Sequence, residues 1–205
     1  MKRFILLTLI TFLGLSINAQ QPLTAAEVLK KATDKITSSK GLTADFRADF
    51  SGKKISGKFI SEGVRFSLQA EGIKVWYDGK NMWTYNQSTS ETTLTSPNSD
   101  EINETNPLSY LKLYEKRYEA SFSKESKSEK YVIQLLPKSK RDEYKSIVIT
   151  INKSNYLPET IKGVSVSGQI ISINLDKIKT GLTFTPGDFR YPASSYPKVE
   201  VIDMR

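Results

Sequence analysis

The chain contains no cysteine and no histidine. Without cysteine there can be no disulfide framework, so an apolar core must hold the fold together. Metal sites built from thiolate or imidazole ligands are excluded, and so is a nucleophile that a histidine activates. These two absences remove many common hydrolase and metalloenzyme sites, and they indicate a protein that does not depend on imidazole chemistry.

The sequence also lacks an apolar run long enough to span a bilayer. Lys2 and Arg3 precede the only extended candidate, residues 4–15, whereas a spanning helix needs roughly 20 apolar residues. A small-residue cleavage site ends at Ala19, before Gln20. We therefore predict a cleaved signal peptide at residues 1–19, with a membrane anchor as the alternative, and a single domain at residues 20–205.

Positive charge is in excess but is dispersed along the chain. The predicted signal contributes two of the 30 basic residues, which leaves a formal charge of +6. Weak attraction to anionic lipid surfaces or acidic partners fits this surplus, as does an ordinary solvated face. An exported chain without a basic helix or an RNA-binding signature is not expected to bind nucleic acid.

The first structural element is predicted to be an amphipathic helix over residues 22–40. Thr24 and Glu27 have the spacing of a capping box, and Gly41 is suited to end the helix. Apolar residues then recur at helical spacing, namely Ala25, Val28, Leu29, Ala32 and Ile36. One face of this helix must be buried against another element.

From Leu42 onward the apolar residues alternate with polar ones, which predicts an antiparallel meander. An aromatic-rich ribbon at residues 75–93 carries Asp78-Gly79, the preferred dipeptide of a two-residue type I′ turn. Residues 94–106 are predicted to be a loop, and Asn106-Pro107 to open a second helix. A second meander follows, at residues 118–122, 131–136, 146–151, 160–166 and 169–175.

Two helices cannot cover the apolar face of so many strands if the sheet is flat. The sheet must close, fold over or curl around the helices. A curled sheet would leave an apolar interior suited to an apolar ligand, while a fully packed core without a cavity is the alternative. Periodicity alone does not separate these two interpretations.

Candidate catalytic groups are few, so the chain is not predicted to be an enzyme. Asp100, Glu101 and Glu104 lie in a polar loop without the cleft that paired carboxylates need. Gly79-Lys80 lacks the upstream glycine of a phosphate-binding loop. No cofactor is implied.

The order of these elements resembles the LolA-like carriers, which move lipoproteins through the periplasm of Gram-negative bacteria. The resemblance covers nearly the whole predicted mature chain. It rests on residues 42–46 after the first helix, 57–66, the hairpin 75–85 (similar to the family's SDGK-x-x-W-x-Y), the helix start at 106–108, and the tail segments 182–186 (LTFTP) and 199–203 (VEVID).

The resemblance implies an α+β fold, a single-domain and highly curved antiparallel half-barrel of about nine to eleven strands, with amphipathic helices as a lid over an apolar cavity. It implies a monomeric periplasmic carrier for acylated lipoproteins. An inner-membrane ABC transporter would release the lipoproteins to it, and an outer-membrane acceptor would receive them.

The resemblance also implies which residues form the site. The acyl-chain cavity would be lined by Phe46, Phe59, Val64, Phe66, Leu68, Val75, Met82, Trp83 and Tyr85. Lid contacts would come from Val28, Ala32, Ile36, Leu108 and Leu111.

One position departs from the family pattern, and two other functions remain open. Family members often carry Arg-Pro before the phenylalanine that corresponds to Phe66, and the arginine helps to hold the lid shut; Glu62-Gly63 stands here instead. The same fold could serve as a periplasmic sensor or regulatory binding module. Outward-facing Trp76, Trp83 and Tyr85 could alternatively stack on a glycan.

Overall fold

A computed structural model describes residues 22–38, 40–111 and 116–205, so the predicted signal peptide lies outside the described residues. The helices are α1 (Ala25–Thr37) and α2 (Ser99–Thr105), with 3-10 helices at Ser109–Leu111, Pro186–Phe189 and Ala193–Ser195. The strands are β1 (Leu42–Phe50), β2 (Lys53–Glu62), β3 (Arg65–Ala70), β4 (Ile73–Tyr77), β5 (Met82–Asn86), β6 (Glu91–Thr95), β7 (Tyr118–Phe122), β8 (Lys130–Pro137), β9 (Tyr144–Asn152), β10 (Pro158–Ser165), β11 (Ile170–Thr180) and β12 (Glu200–Asp203).

Within the described residues the twelve strands form one sheet in the order β12-β6-β5-β4-β3-β2-β1-β11-β10-β9-β8-β7. Neighbouring strands are antiparallel except β12, which runs parallel to β6. The sheet is curved and open, as a half-barrel requires, which confirms the predicted fold class. The predicted strand number was too low because the sequence reading omitted β6 and β12.

The predicted capping box and apolar stripe are both present in α1. The Glu27 amide donates to Thr24 Oγ1 at 3.2 Å, and the Thr24 amide donates to Glu27 Oε2 at 2.7 Å, so the capping box is present. The helix is shorter than predicted at both ends. Its buried residues are those of the predicted apolar stripe: Ala25, Val28, Leu29, Ala32 and Ile36.

The side of the sheet that packs against α1 is called the inner face here. Alternate residues of the strands point to it and join α1 in one apolar core. The backbone is closely packed where Gly57 of β2 pairs with Ala70 of β3. A Cβ atom at Gly57 would lie 2.0 Å from the Gln69 carbonyl oxygen, so only glycine fits there.

Two local predictions were wrong. The β4–β5 loop contains four residues, 78–81, because Tyr77 pairs with Met82, and of its Asp-Gly pair only Gly79 has a positive φ, of 100°. Asp78 Oδ1 instead accepts the backbone amides of Lys80 and Asn81. The predicted loop at residues 94–106 contains the end of β6 and the helix α2, which begins with a capping box at Asn98.

Candidate functional site: a cavity between the helices and the inner face

Six of the predicted cavity residues share the inner face of the sheet. The strand register places them together on β1 to β5: Phe46, Phe59, Phe66, Leu68, Val75 and Met82. All are buried except Leu68, which is half-buried. They share this face because side chains alternate along a β-strand, so that every second residue points to the same side.

Three aromatic rings pack together on the inner face. The Phe66 ring lies 5.9 Å from Phe59 and 5.3 Å from Tyr77, measured between ring centroids. Tyr77 was not among the predicted site residues, although it continues the alternation of Val75. Burial, aided by the negative charge of Asp78, raises the pKa of Tyr77, so this phenol remains neutral at physiological pH.

The residues predicted as lid contacts belong to the same apolar core. Val28, Ala32 and Ile36 reach it from α1, and Leu108 and Leu111 reach it from the segment after α2. Asn106 Oδ1 accepts the Leu108 amide at 2.9 Å and so shapes the start of that segment. Thr33 Oγ1 donates to the Leu111 carbonyl oxygen at 3.4 Å, which joins α1 to the segment. We call α1, α2 and the 3-10 helix Ser109–Leu111 the lid.

A cavity of about 230 Å³ lies where the lid meets the β2–β3 turn. It is smaller than the roughly 300–1,000 Å³ of typical ligand pockets. The residues around it come from the lid and from β2 to β4: Thr33, Ile36, Thr37, Ser61, Gly63, Val64, Tyr77, Ile102, Asn103, Asn106, Leu108, Ser109 and Leu111.

Of the predicted cavity residues, only Val64 lines this cavity, and it lies at the rim. Its side chain remains 73% exposed at the tip of the β2–β3 turn, after Gly63. A Cβ atom on Gly79 would lie 3.3 Å from Val64 Cγ2, so the turn tip rests against the β4–β5 loop. Two neighbouring loops therefore form one edge of the cavity mouth.

Trp83 and Tyr85 were predicted to line the cavity, and the structure corrects their placement. Trp83 pairs with Trp76, and Tyr85 pairs with Lys74, so all four side chains lie on the outer face of the sheet. Tyr196 covers part of this face, with its ring 4.8 Å from Tyr85. The aromatic ribbon therefore contributes to both faces of the sheet.

The chain's own C-terminal segment, residues 181–205, covers Trp76 and contacts Tyr85 on the outer face, whereas Trp83 and Tyr85 remain half-buried. The Trp76 ring is 5.6 Å from the Tyr191 ring and 6.2 Å from the Tyr196 ring, and Trp76 is only 4% exposed. The Lys74 ammonium donates to Tyr196 Oη at 2.9 Å. A ring packed in this way is not available to stack on a sugar.

The same C-terminal segment holds the two loops of the cavity mouth from the outside. Arg65 forms an ion pair with Glu62, and its guanidinium lies 4.7 Å from the centroid of the Phe189 ring. Arg190 Nε lies 3.3 Å from Asp78 Oδ2. Glu62, which stands near the family's arginine position, is thus bound to Arg65 on the outer side of the turn.

The loop carboxylate Asp78 is ionised in this setting. Partial burial opposes ionisation, but the amides of Asn81 and Lys80 and the charge of Arg190 together outweigh it, so the pKa of Asp78 is lowered. The folded protein therefore favours the charged form, which both accepts the loop amides and attracts Arg190.

A larger depression, of about 740 Å³, lies at the opposite end of the sheet. Charged side chains contribute much of its wall, among them Arg47, Asp49, Lys54 and Glu71. The lid does not take part in it, because no lid residue lines it. An acyl chain placed there would stay in contact with water and charges, so the smaller cavity under the lid is the better candidate site.

Neither a metal centre nor a spanning helix is found in the described part of the chain. No group of three or more acidic side chains there is arranged to hold a metal ion. Among residues 22–38, 40–111 and 116–205, no helix is long and apolar enough to cross a membrane.

Solved structures share this architecture at low sequence identity. An uncharacterized conserved protein from Thermus thermophilus superposes with a TM-score of 0.60 at 11% identity, covering 87% of this chain and 98% of that one. MucB superposes with a TM-score of 0.50 at 12% identity, covering 82% of this chain and 63% of MucB. A LolA superfamily protein from Nitrosomonas europaea superposes with a TM-score of 0.42 at 15% identity, covering 83% of this chain and 99% of that one.

A comparison of the sequence with protein families identifies the family of this chain. No curated protein matches it. A family model described as "Outer membrane lipoprotein carrier protein LolA" matches residues 15–169, which is most of the chain. The match includes α1, the β1–β5 wall, the segment after α2 and the strands β7 to β10. The chain therefore belongs to the LolA outer membrane lipoprotein carrier family.

Proposed function

We propose that this protein is a periplasmic carrier that binds the acyl chains of lipoproteins and shuttles them from the inner to the outer membrane. The observation that supports this most strongly is the cavity between the lid, the β2–β3 turn and Tyr77, whose ring packs against the buried ring of Phe66. Family membership supports it independently. Residues 1–19 would direct the chain to the periplasm as a cleaved signal peptide.

The task of such a carrier is physical rather than chemical. Each CH₂ group removed from water contributes about 0.8 kcal/mol, so a whole acyl chain is unfavourable in water by on the order of 10 kcal/mol. A protein that offers an equal area of apolar surface offsets this cost without any reaction. The inner face supplies such a surface, because its wall is built from aliphatic and aromatic side chains.

Loading requires the lid to move outward, because the cavity of about 230 Å³ is small. An entering chain would take the place of Ile36, Leu108 and Leu111 against the wall. The apolar contacts between the lid and the sheet would then be replaced by apolar contacts between the acyl chain and the sheet. The net free energy of opening would therefore stay small. The bond from Thr33 to Leu111 is long at 3.4 Å and would oppose this motion only weakly.

The partners follow from the direction of transport. An inner-membrane ABC transporter would deliver the acylated lipoprotein, and an outer-membrane acceptor would remove it. The carrier would act as a monomer and without a cofactor, since transfer between apolar surfaces needs no bond to form or break.

A pair of matched variants on β2 tests whether the cavity binds acyl chains. Ser61 lines the cavity, whereas Ser56 lies on the outer face of the same strand. Ser61→Trp should fill the cavity and weaken binding of a fluorescent fatty-acid probe. Ser56→Trp adds the same side chain and should leave probe binding unchanged.

Native mass spectrometry of the protein purified from its host provides a second measurement. We expect a bound acylated species that a fatty-acid probe displaces. Absence of both bound lipid and probe binding would contradict the carrier function. Recovery of a signalling receptor in a pull-down, with no outer-membrane defect on depletion, would favour the sensor instead.

A further inference from the structure

A second group of aromatic side chains lies away from the cavity, at the β7 edge of the sheet. The Phe122 and Tyr131 rings are stacked with centroids 5.6 Å apart, and Tyr131 and Tyr156 are stacked at 6.3 Å. The Lys31 ammonium lies 5.1 Å from the Tyr156 ring, and the Lys153 ammonium lies 5.0 Å from the Tyr131 ring. We call these five residues the aromatic–lysine row.

The row lies at the same end of the sheet as the cavity mouth. Its members stand near the β7–β8 and β9–β10 turns, where Lys130 pairs with Asn152. Because neighbouring strands from β7 to β5 are antiparallel, this end of the sheet also carries the β2–β3 turn and the β4–β5 loop of the cavity mouth. Helix α1 connects the two sites, because Lys31 contacts the row and Ile36, further along the helix, lines the cavity.

The row combines exposed rings with positive charge. Phe122 is 41% exposed, and both tyrosines are half-buried. The nearby loop 123–129 holds two lysines and two glutamates, whose charges cancel, and Lys130 is paired with Glu159 at 2.6 Å. The positive charges of the row are therefore those of Lys153 and of Lys31, which also interacts electrostatically with Glu27 on α1.

This composition matches the chemistry of a bilayer surface. Tyrosine and other amphipathic aromatic rings favour the boundary between headgroups and acyl chains. Lysine side chains are attracted to anionic headgroups, and the whole chain carries a positive formal charge. In the outer-face cluster, by comparison, Trp76 is covered by Tyr191 and Tyr196, and Lys74 donates to Tyr196 Oη.

We propose that the aromatic–lysine row docks this end of the protein on an anionic lipid bilayer. Docking there brings α1 and the cavity mouth next to the membrane, where an apolar ligand could pass without crossing water. Binding to the bilayer does not require the cavity to be occupied, so this docking can be tested separately from the carrier function.

Flotation with lipid vesicles tests the docking directly. The full mature chain should float with vesicles of phosphatidylglycerol and phosphatidylethanolamine and remain unbound with phosphatidylcholine alone. The double variant Lys31→Glu/Lys153→Glu should lose affinity by roughly twentyfold or more, since one lysine near an anionic surface contributes roughly fivefold. Lys162 is an exposed lysine on β10, and Lys162→Glu serves as a control. This variant should bind the vesicles more tightly than the double variant does.

Two phenylalanines of equal exposure provide the apolar control. Phe122 and Phe50 are each 41% exposed but lie at opposite ends of the sheet. Phe122→Ser should weaken vesicle binding, whereas Phe50→Ser should not. Equal thermal unfolding midpoints for the two variants would exclude misfolding as the cause.

A fluorescent reporter gives an independent measurement. In Phe122→Trp, the new indole should be quenched by brominated phosphatidylglycerol beyond the background of the wild-type tryptophans, which lie on the outer face. Phe50→Trp should show only that background. Equal quenching of the two variants, unchanged flotation of Lys31→Glu/Lys153→Glu, or binding of soluble peptides or saccharides without any binding to vesicles would overturn the proposal.

Discussion

Strands β3 to β5 carry aromatic side chains on both faces, but different segments of the chain cover the two faces. On the inner face, Phe66 and Tyr77 pack under the lid, beside a cavity. On the outer face, Trp76 packs under Tyr191 and Tyr196 of the C-terminal segment. The inner cover is a set of helices with space beneath it, whereas the outer cover fits closely against the rings.

This difference separates binding from stability within a single ribbon. In the proposed carrier the lid must open, and it is linked to the sheet mainly by apolar side chains. The outer cover adds an ion pair between Arg190 and Asp78 and a hydrogen bond from Lys74 to Tyr196. We therefore expect outer-face substitutions to change stability alone, and inner-face substitutions to change both stability and ligand affinity.

The largest effect is expected for Phe66→Ala on the inner face. Phe66 is fully buried between Phe59 and Tyr77, so its truncation should lower the free energy of unfolding by about 3–5 kcal/mol. The affinity for a fatty-acid probe should also change, because Tyr77, which lines the cavity, packs against the Phe66 ring. Denaturant unfolding and a probe titration on the same sample would measure both quantities.

Trp76→Ala makes the same kind of change on the outer face. The expected loss of stability is again about 3–5 kcal/mol, because a large buried ring is removed. The probe affinity of the folded fraction should equal that of the wild type. A weakened affinity in this variant, measured where it is fully folded, would show that the two faces are not independent.

A smaller effect is expected where the inner wall is most tightly packed. Gly57→Ala places a Cβ atom 2.0 Å from the Gln69 carbonyl oxygen, so β2 and β3 must separate, at a cost of about 1–3 kcal/mol. Gly187→Ala is the matched control, because its Cβ atom would meet only Thr185 Oγ1 at 3.6 Å. Thermal unfolding of both variants should show a lowered midpoint for Gly57→Ala alone.

The smallest effect is expected at the ion pair between the outer cover and the cavity mouth. Asp78→Asn should lower stability at neutral pH by about 0.5–1 kcal/mol, because Arg190 is 65% exposed and solvent screens the pair.

The pH dependence of this variant follows from the lowered pKa of Asp78. The charged carboxylate stabilises the fold above its unfolded pKa of roughly 3.9, and this contribution is lost as the pH falls through the lower pKa of the folded state. The difference between wild type and Asp78→Asn should therefore shrink below about pH 4. Urea unfolding at several pH values measures it, and a difference that grows toward acid would contradict this account.

The sequence predicted the elements whose signals are local. The capping box at Thr24 and the apolar stripe that follows specify α1, and strict alternation specifies β1 to β3. The helix α2 was missed because its seven residues carry too short a pattern, although the capping box from Asn98 to Glu101 marks its start. The strand β12 was missed because its partner β6 is distant in the sequence.

The relative facing of Trp76 and Trp83 depends on whether the loop between them is even or odd, so it is the same for the predicted two-residue turn and for the observed loop of four. A loop with an even number of residues leaves Trp76 and Trp83 on one face, and an odd number would separate them. The Asp-Gly pair favoured a turn but did not specify the four residues that Asp78 organises. That the C-terminal segment covers Trp76 depends on contacts more than 100 residues apart, for which the sequence carries no local pattern.

Photo-crosslinking of a bound acyl chain tests the carrier account most directly. A diacylated lipopeptide with a photoreactive group in its acyl chain would be bound, irradiated and mapped by mass spectrometry. We predict crosslinks to the inner face and the lid, at residues such as Phe66, Tyr77 and Leu111. Crosslinks confined to Trp83 and Tyr85 on the outer face, or none above the level of the Ser61→Trp variant, would contradict it.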